Sequence, residues 1–175
     1  MDKITITVAE AEDSENITLV QYTTWLATYP NKEYGITIED IEDRFKEKFT
    51  PENIQKNKDR IANPPNNNRL FVAKDNQVVV GLCLAIIKED RNQLQVIYVL
   101  PEYQGKGIGT LLWNATLNFF DENKDIYVEL AVYNKTAEEF YKRLGFIDTG
   151  KRIKDEKFKM KSGNIIPEME MIIKR

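Results

Sequence analysis

The stretch from Gln93 to Phe120, QLQVIYVLPEYQGKGIGTLLWNATLNFF, constrains this chain more than any other. It reads as an apolar strand carrying Leu94, Val96, Ile97 and Val99, a turn punctuated by Pro101, three alternate glycines at 105, 107 and 109, and an amphipathic helix. A strand–loop–helix joint of this kind leaves the first-turn amides of the helix unpaired, with the positive end of the helix dipole behind them. The joint is therefore a candidate anion site. Glycines there let backbone N–H groups approach a phosphate and tolerate the φ > 0 conformations of a tight loop.

Around this joint the chain alternates periods. Ile4, Ile6 and Val8 alternate with Thr5 and Thr7, a first strand. Asp13 or Ser14 caps a helix running to about Thr28, with Ile17, Val20 and Trp25 on its apolar side. Thr37 and Asp40 resemble a capping box before Ile38, Ile41, Phe45 and Phe49, and Thr50-Pro51 opens a third helix ending by Pro64-Pro65. Leu70–Lys74 and Gln77–Ile87 form a hairpin through Asp75-Asn76. After the glycine loop, Leu111, Leu112, Ala115, Leu117 and Phe119/Phe120 give a helix with a broad buried face. Ile126–Val132 is a strand, Thr136–Leu144 a helix ended by Gly145, and Phe146 onward returns to β character, closing with Glu168–Ile173. That last strand either pairs across a homodimer or closes the sheet. The order β-α-α-α-β-β-β-α-β-α-β-β predicts an α/β (α+β) chain with a mixed sheet and helices on its faces.

Composition removes whole classes of chemistry. There is no histidine, which excludes imidazole bases, Ser–His–Asp and Cys–His catalysis and ordinary zinc sites, so no metal is expected. Cys83 is the sole cysteine, within GLCLAII, and reads as a core residue and not a nucleophile. No apolar run approaches the roughly 20 residues that span a bilayer, and the N-terminus lacks an apolar signal core, so a cytoplasmic protein without a membrane partner is expected. Net charge is −3, with ten Lys/Arg against five Asp/Glu from Lys142 onward and an acidic remainder. Six basic residues between Lys151 and Lys161 have little aromatic interleaving, so no nucleic-acid partner is expected.

Three phosphate motifs compete for the glycine loop. A P-loop needs a glycine five residues before Gly105-Lys106, where Leu100 stands. A dinucleotide fingerprint needs Gly or Ala where Thr110 stands. The glycines also have a plain reading as turn residues. The pattern that fits is Q/R-x-x-G-x-G/A after a hydrophobic strand. With YVLPEYQGKGIG, Asn134-Lys135-Thr136-Ala137 and FYKRLGF, the chain resembles the GNAT superfamily of acetyl-CoA-dependent N-acetyltransferases.

That resemblance covers roughly residues 70 to 150 and implies a mixed, splayed central sheet of about six or seven strands flanked by helices. It implies one domain: 1–68 on the acceptor side, 69–150 the acetyl-CoA-binding core, 151–175 a C-terminal hairpin. It implies that amides of Gln104, Gly105, Lys106, Gly107, Ile108, Gly109 and Thr110 cradle the CoA pyrophosphate, that backbone at Ile97, Tyr98 and Val99 pairs with the pantetheine arm, and that Asn134 bonds that arm or a water. Tyr141 would protonate the departing thiolate, with direct attack by the amine and strand amides stabilising the oxyanion.

The family's usual base position holds Gln95, which cannot accept a proton but could position a water together with Gln93; Glu129 is the remaining carboxylate to consider, but an exposed strand site suits it better, which leaves the base unassigned. Removing a proton from an alkylammonium at pH 7 costs about 4–5 kcal/mol, so the missing base matters. The acceptor is expected near Trp25, Tyr29 and Tyr34 and the acidic stretch Glu33–Asp43, which favours a small cationic amine; polyamines, aminoglycoside-like amines, amino acids, and protein or peptide N-termini and lysines stay open. The alternative in another class is a regulatory module that binds acyl-CoA without transfer.

Overall fold

The computed structural model describes residues 4–175. A seven-stranded sheet runs in the order β1-β2-β3-β4-β5-β7-β6. Its strands are β1 (Thr5–Val8), β2 (Asn68–Asp75), β3 (Val78–Ile87), β4 (Asn92–Val99), β5 (Ile126–Ala131), β6 (Ile147–Ile153) and β7 (Glu168–Ile173). Every neighbouring pair is antiparallel except β4 and β5. The helices are α1 (Ser14–Thr28), α2 (Ile38–Phe45), α3 (Pro51–Ala62), α4 (Ile108–Leu117) and α5 (Lys135–Arg143).

Strand periodicity decides which face each helix covers. Val72, Val79 and Leu82 pack with Ile17 and Val20 of α1, while their neighbours Ala73, Val80 and Cys83 pack with Ile108, Leu112 and Trp113 of α4. A third cluster joins Trp25, Ile41 and Phe45 to Met160 and Ile166 of the loop before β7. Thr37 and Asp40 form the capping box at α2, and Thr50 caps α3 with Pro51 in its first turn.

The buried side of α4 differs from the expected one. Ile108, Leu112, Trp113 and Thr116 face the core, whereas Leu111 and Leu117 are exposed. The run from Ile108 to Leu117 is apolar on nearly every side, so periodicity alone did not select the face. β7 also departs from one expectation: it lies inside the sheet, with β5 on one edge and β6 on the other. Both edges are used, so β7 does not pair across a dimer.

The functional geometry comes from the parallel pair. β4 and β5 face each other only at Asn92–Ile126, Gln93–Tyr127 and Leu94–Val128. The closed end is pinned by Asn92, fully buried, whose Nδ2 donates to the carbonyls of Asp121 and Lys124 at 2.7 and 2.8 Å while its Oδ1 accepts from the Asp121 amide. Beyond Leu94 the two strands part.

Candidate active site

The parting strands open a cleft of about 990 Å³, lined from β4 by Gln95–Val99 and from β5 by Glu129–Ala131. β4 is paired with β3 through Val99, so its other edge, beyond Leu94, faces the cleft with no strand against it. Gln95 owes its place to a bulge. Leu84 faces Val96 and Ala85 faces Leu94, which leaves Gln95 as the extra residue, and such an insertion breaks the alternation of side chains. Gln93, expected on the same face, is instead buried at the closed end near Lys88, 3.4 Å from its Oε1. The two glutamines therefore do not share a site.

At the cleft mouth the glycine loop enters α4. Gly105 and Gly107 have φ of +73° and +81°, the left-handed region, and a Cβ on either would meet no atom within 4 Å. Glycine is required there by backbone conformation, and the space above is open to a ligand. Gly109 serves another purpose: a Cβ would lie 3.1 Å from the Phe140 ring, so its bareness lets α5 pack on the first turn of α4. Gln104, Ile108 and Thr110 also line the cleft. The Gln104 side chain donates to the Val99 carbonyl at 3.0 Å, and Lys106 turns away, 4.7 Å over the Tyr103 ring. Arg143, which the sequence reading passed over, lines the cleft from the end of α5.

Asn134 also has a structural role, because its Oδ1 accepts from the Ala137 amide at 3.1 Å and caps α5. Its amide NH₂ remains for a ligand. Tyr141, 5% exposed, lines the cleft between Phe140 and Phe146, and its hydroxyl has no hydrogen-bond partner among the described residues. Burial, with Cys83 and Tyr98 nearby, pushes its pKa up, so it keeps its proton at neutral pH. Cys83 is fully buried, and burial likewise raises its thiol pKa, which leaves an inert core residue.

In the cleft lining from α1 and β4, Trp25, Tyr29 and Tyr98 come together. The Trp25 indole donates to the Tyr98 hydroxyl at 3.0 Å, and the Tyr29 and Tyr98 hydroxyls lie 3.5 Å apart. Tyr34 is displaced into a neighbouring depression, stacked on Tyr133 with centroids 5.1 Å apart. The acidic stretch does not line the cleft. Glu33 borders that second depression, Asp40 is consumed by Thr37 and Ser162, and Asp43 pairs with Lys46; α2 and the turn after it present Arg44, Phe45 and Lys48 instead. Charge counted along a helix carries no information about which side meets the cleft.

The carboxylates of the cleft are Glu129 and Glu168. Glu129 is half-buried in the cleft wall, not on an exposed strand face. Glu168, missed in the sequence, is 8% exposed, and its Oε2 is buried without a hydrogen-bond partner. Burial and the neighbouring Glu129 push its pKa up to about 7, against the opposing pull of Lys157. Glu170, two residues on, is compensated by Lys151 at 3.1 Å and Arg91 at 3.5 Å. The signal in the sequence was EMEMII, carboxylates alternating into an otherwise apolar strand.

A model of the acetyltransferase (GNAT) domain matches residues 25–162, most of the chain. The chain belongs to the GNAT acetyltransferase family. An uncharacterized N-acetyltransferase of Methanocaldococcus jannaschii is 43% identical over 63 residues, 35% of this GNAT chain and 28% of that protein. N-alpha-acetyltransferase 30 of Schizosaccharomyces pombe is 35% identical over 85 residues, 43% of this chain and 55% of that one. The match thus spans about half or less of these relatives' lengths. The PaiA N-acetyltransferase of Thermoplasma acidophilum, solved with coenzyme A, shares the fold at a TM-score of 0.68 and 21% identity, covering 96% of this chain and 98% of that one. Among the described residues no group of His, Cys, Asp and Glu could hold a metal, and no helix is long and apolar enough to cross a membrane.

Proposed function

We propose that this GNAT domain transfers the acetyl group of acetyl-CoA to a primary amine by direct attack in a ternary complex. The observation that carries this is the opening of β4 from β5 beyond Leu94 and Val128, which places an open strand edge beside a glycine loop at the N-terminus of α4. The edge suits an extended amide-bearing arm, and the bare space over Gly105 and Gly107 suits a pyrophosphate against the loop amides. Acetyl-CoA, so held, supplies an acetyl thioester at the throat of the cleft.

The chain's own residues then manage two protons. Glu168 takes one from the acceptor ammonium; a raised pKa matched to neutral pH and an unpartnered oxygen suit a general base, and Glu129 beside it favours the positively charged acceptor. As the amine nitrogen bonds the acetyl carbon and the carbon–sulfur bond breaks, Tyr141 gives its proton to the sulfur, and the second proton that the nitrogen loses on becoming an amide restores the phenol. Gln95, aimed into the cleft by its bulge, is placed to hold a water between the ammonium and the carboxylates. Trp25, Tyr29 and Tyr98 form the acceptor wall.

The name of the fission-yeast relative favours a second acceptor class, a protein N-terminus. A thiol-release assay with acetyl-CoA over amines and peptides tests both, with calorimetry of acetyl-CoA binding in parallel. Turnover with free amines supports the first reading and turnover confined to peptides the second. Binding without release across the whole panel leaves a non-catalytic acyl-CoA module, and absence of binding overturns all three.

A further inference from the structure

Arg44, in the last turn of α2, takes no part in that chemistry, yet it lines the cleft. Its guanidinium lies 5.0 Å from the Trp25 ring centroid and 5.6 Å from that of Phe158, and its Nη2 donates to the Lys157 carbonyl at 2.9 Å. A guanidinium carries five N–H donors in a rigid fork, so four are unspent. Among the described residues no carboxylate stands within ion-pair distance. Its neighbour Asp43 pairs instead with Lys46 at 2.8 Å and Lys161 at 3.8 Å. Burial pulls the Arg44 pKa down, with the phenols of Tyr98 and Tyr29 opposing. A partly desolvated cation without its anion is costly, and the two aromatic faces hold this one in place.

The central strands carry the complementary charge, which Lys157 only partly offsets. Glu129 and Glu168 stand on β5 and β7, and the Tyr98 hydroxyl lies within electrostatic reach of both Glu168 and Arg44. The cleft is thus positive at α2 and negative at the central strands. Lys48, also in the lining and in no ion pair among the described residues, strengthens the positive end. A polycation would bring a second positive charge against Arg44, on a Trp25 face already covered by the guanidinium. We infer that the acceptor is a zwitterion, a small molecule of the amino-acid type whose carboxylate is gripped by Arg44 while its ammonium group meets the glutamates across the cleft. This rests on the transferase reading and narrows its substrate class.

The test is thiol release from acetyl-CoA with free amino acids, each compared with its α-amide and its decarboxylated amine, on the wild-type chain, Arg44→Gln and Arg44→Lys. The expected wild-type result is kcat/KM at least tenfold higher for one or more amino acids than for the matched amide and amine. Arg44→Gln should collapse that ratio toward one through KM, and Arg44→Lys should restore part of it. Equal rates for the three forms, turnover only of polyamines or of peptides, or an Arg44→Gln that lowers all three forms alike would overturn the proposal, the last outcome making Arg44 a structural latch between α2 and Lys157. Each of those results leaves acetyl transfer intact. Silence with every acceptor overturns the zwitterion and transfer together, and calorimetric binding of acetyl-CoA then shows whether the cofactor cleft survives.

Discussion

Leu94 and Val128 are the last residues at which β4 and β5 face one another. Everything that makes this sheet a candidate enzyme lies just beyond them: the bulge at Gln95, the open edge of β4, Glu129 on the other lip, and the glycine loop that β4 feeds into α4.

Tyr141→Phe should lower kcat about a hundredfold, the usual scale for loss of a general acid, with acetyl-CoA affinity unchanged. Because the hydroxyl has no partner among the described residues, its loss leaves no buried group unsatisfied, and the melting temperature should move little. A rate equal to wild type in single-turnover thiol release would remove Tyr141 from the reaction.

The base role proposed for Glu168 carries a pH signature. With a pKa near 7, the kcat/KM profile should fall on the acid side around that pH, and Glu168→Gln should lose this limb along with most of the rate. The stability effect has the opposite sign. A carboxyl whose folded pKa is raised binds more protons folded than unfolded between the ordinary carboxylate range and about 7, so its contribution is lost as pH rises through that window. Glu168→Gln should therefore melt higher than wild type at pH 8, with the gain shrinking toward pH 5. A melting temperature unchanged at both pH values would show that the carboxylate is not held in a desolvated site.

Asp40 ties the start of α2 to the loop before β7. Its Oδ2 accepts from the Thr37 amide at 3.0 Å and from the Ser162 hydroxyl at 2.9 Å, and its Oδ1 accepts from the Ser162 amide at 2.8 Å. Burial works against the charge, but these donors win and lower the pKa. Asp40→Ala should cost about 3 kcal/mol in urea denaturation, the loss of a helix cap together with hydrogen bonds to a buried charge. The stability that Asp40 contributes is present above the ordinary carboxylate pKa and lost as pH falls through the depressed one, so the deficit should be constant from pH 5 to 8 and shrink below about 4.

Gly109→Ala should destabilise by about 1–3 kcal/mol, because the new Cβ would sit 3.1 Å from the Phe140 ring in a packed contact. Gly109→Ala with Phe140→Leu should recover part of that loss, giving a coupling energy in a double-mutant cycle. Additive losses would mean that the two helices do not meet through this pair.

Much of this protein is written locally. The helix starts at Thr37 and Thr50, the hairpin at Asp75-Asn76, the glycine joint and the exclusion of imidazole chemistry follow from residue types at short spacing, because caps, turns and strand periods are satisfied within a few residues. The joint with Asn134 and Tyr141 also carried the family. What the sequence left open was decided by contacts between distant segments. The bulge that separates Gln95 from Gln93 is a property of the β3–β4 pairing. The acidic stretch before Arg44 turned to solvent and to Ser162, while Arg44 itself turned to Trp25 and Phe158, because side-chain direction on a short helix is set by what the helix packs on. Glu168 gained its raised pKa only when β7 inserted beside β5, which buried it and brought it to Glu129 on another strand. The sequence determined by itself the glycine joint that suits a pyrophosphate and the phenol proposed as the acid beside it; the tertiary structure supplied the buried carboxylate proposed as the base and the charges that line the cleft.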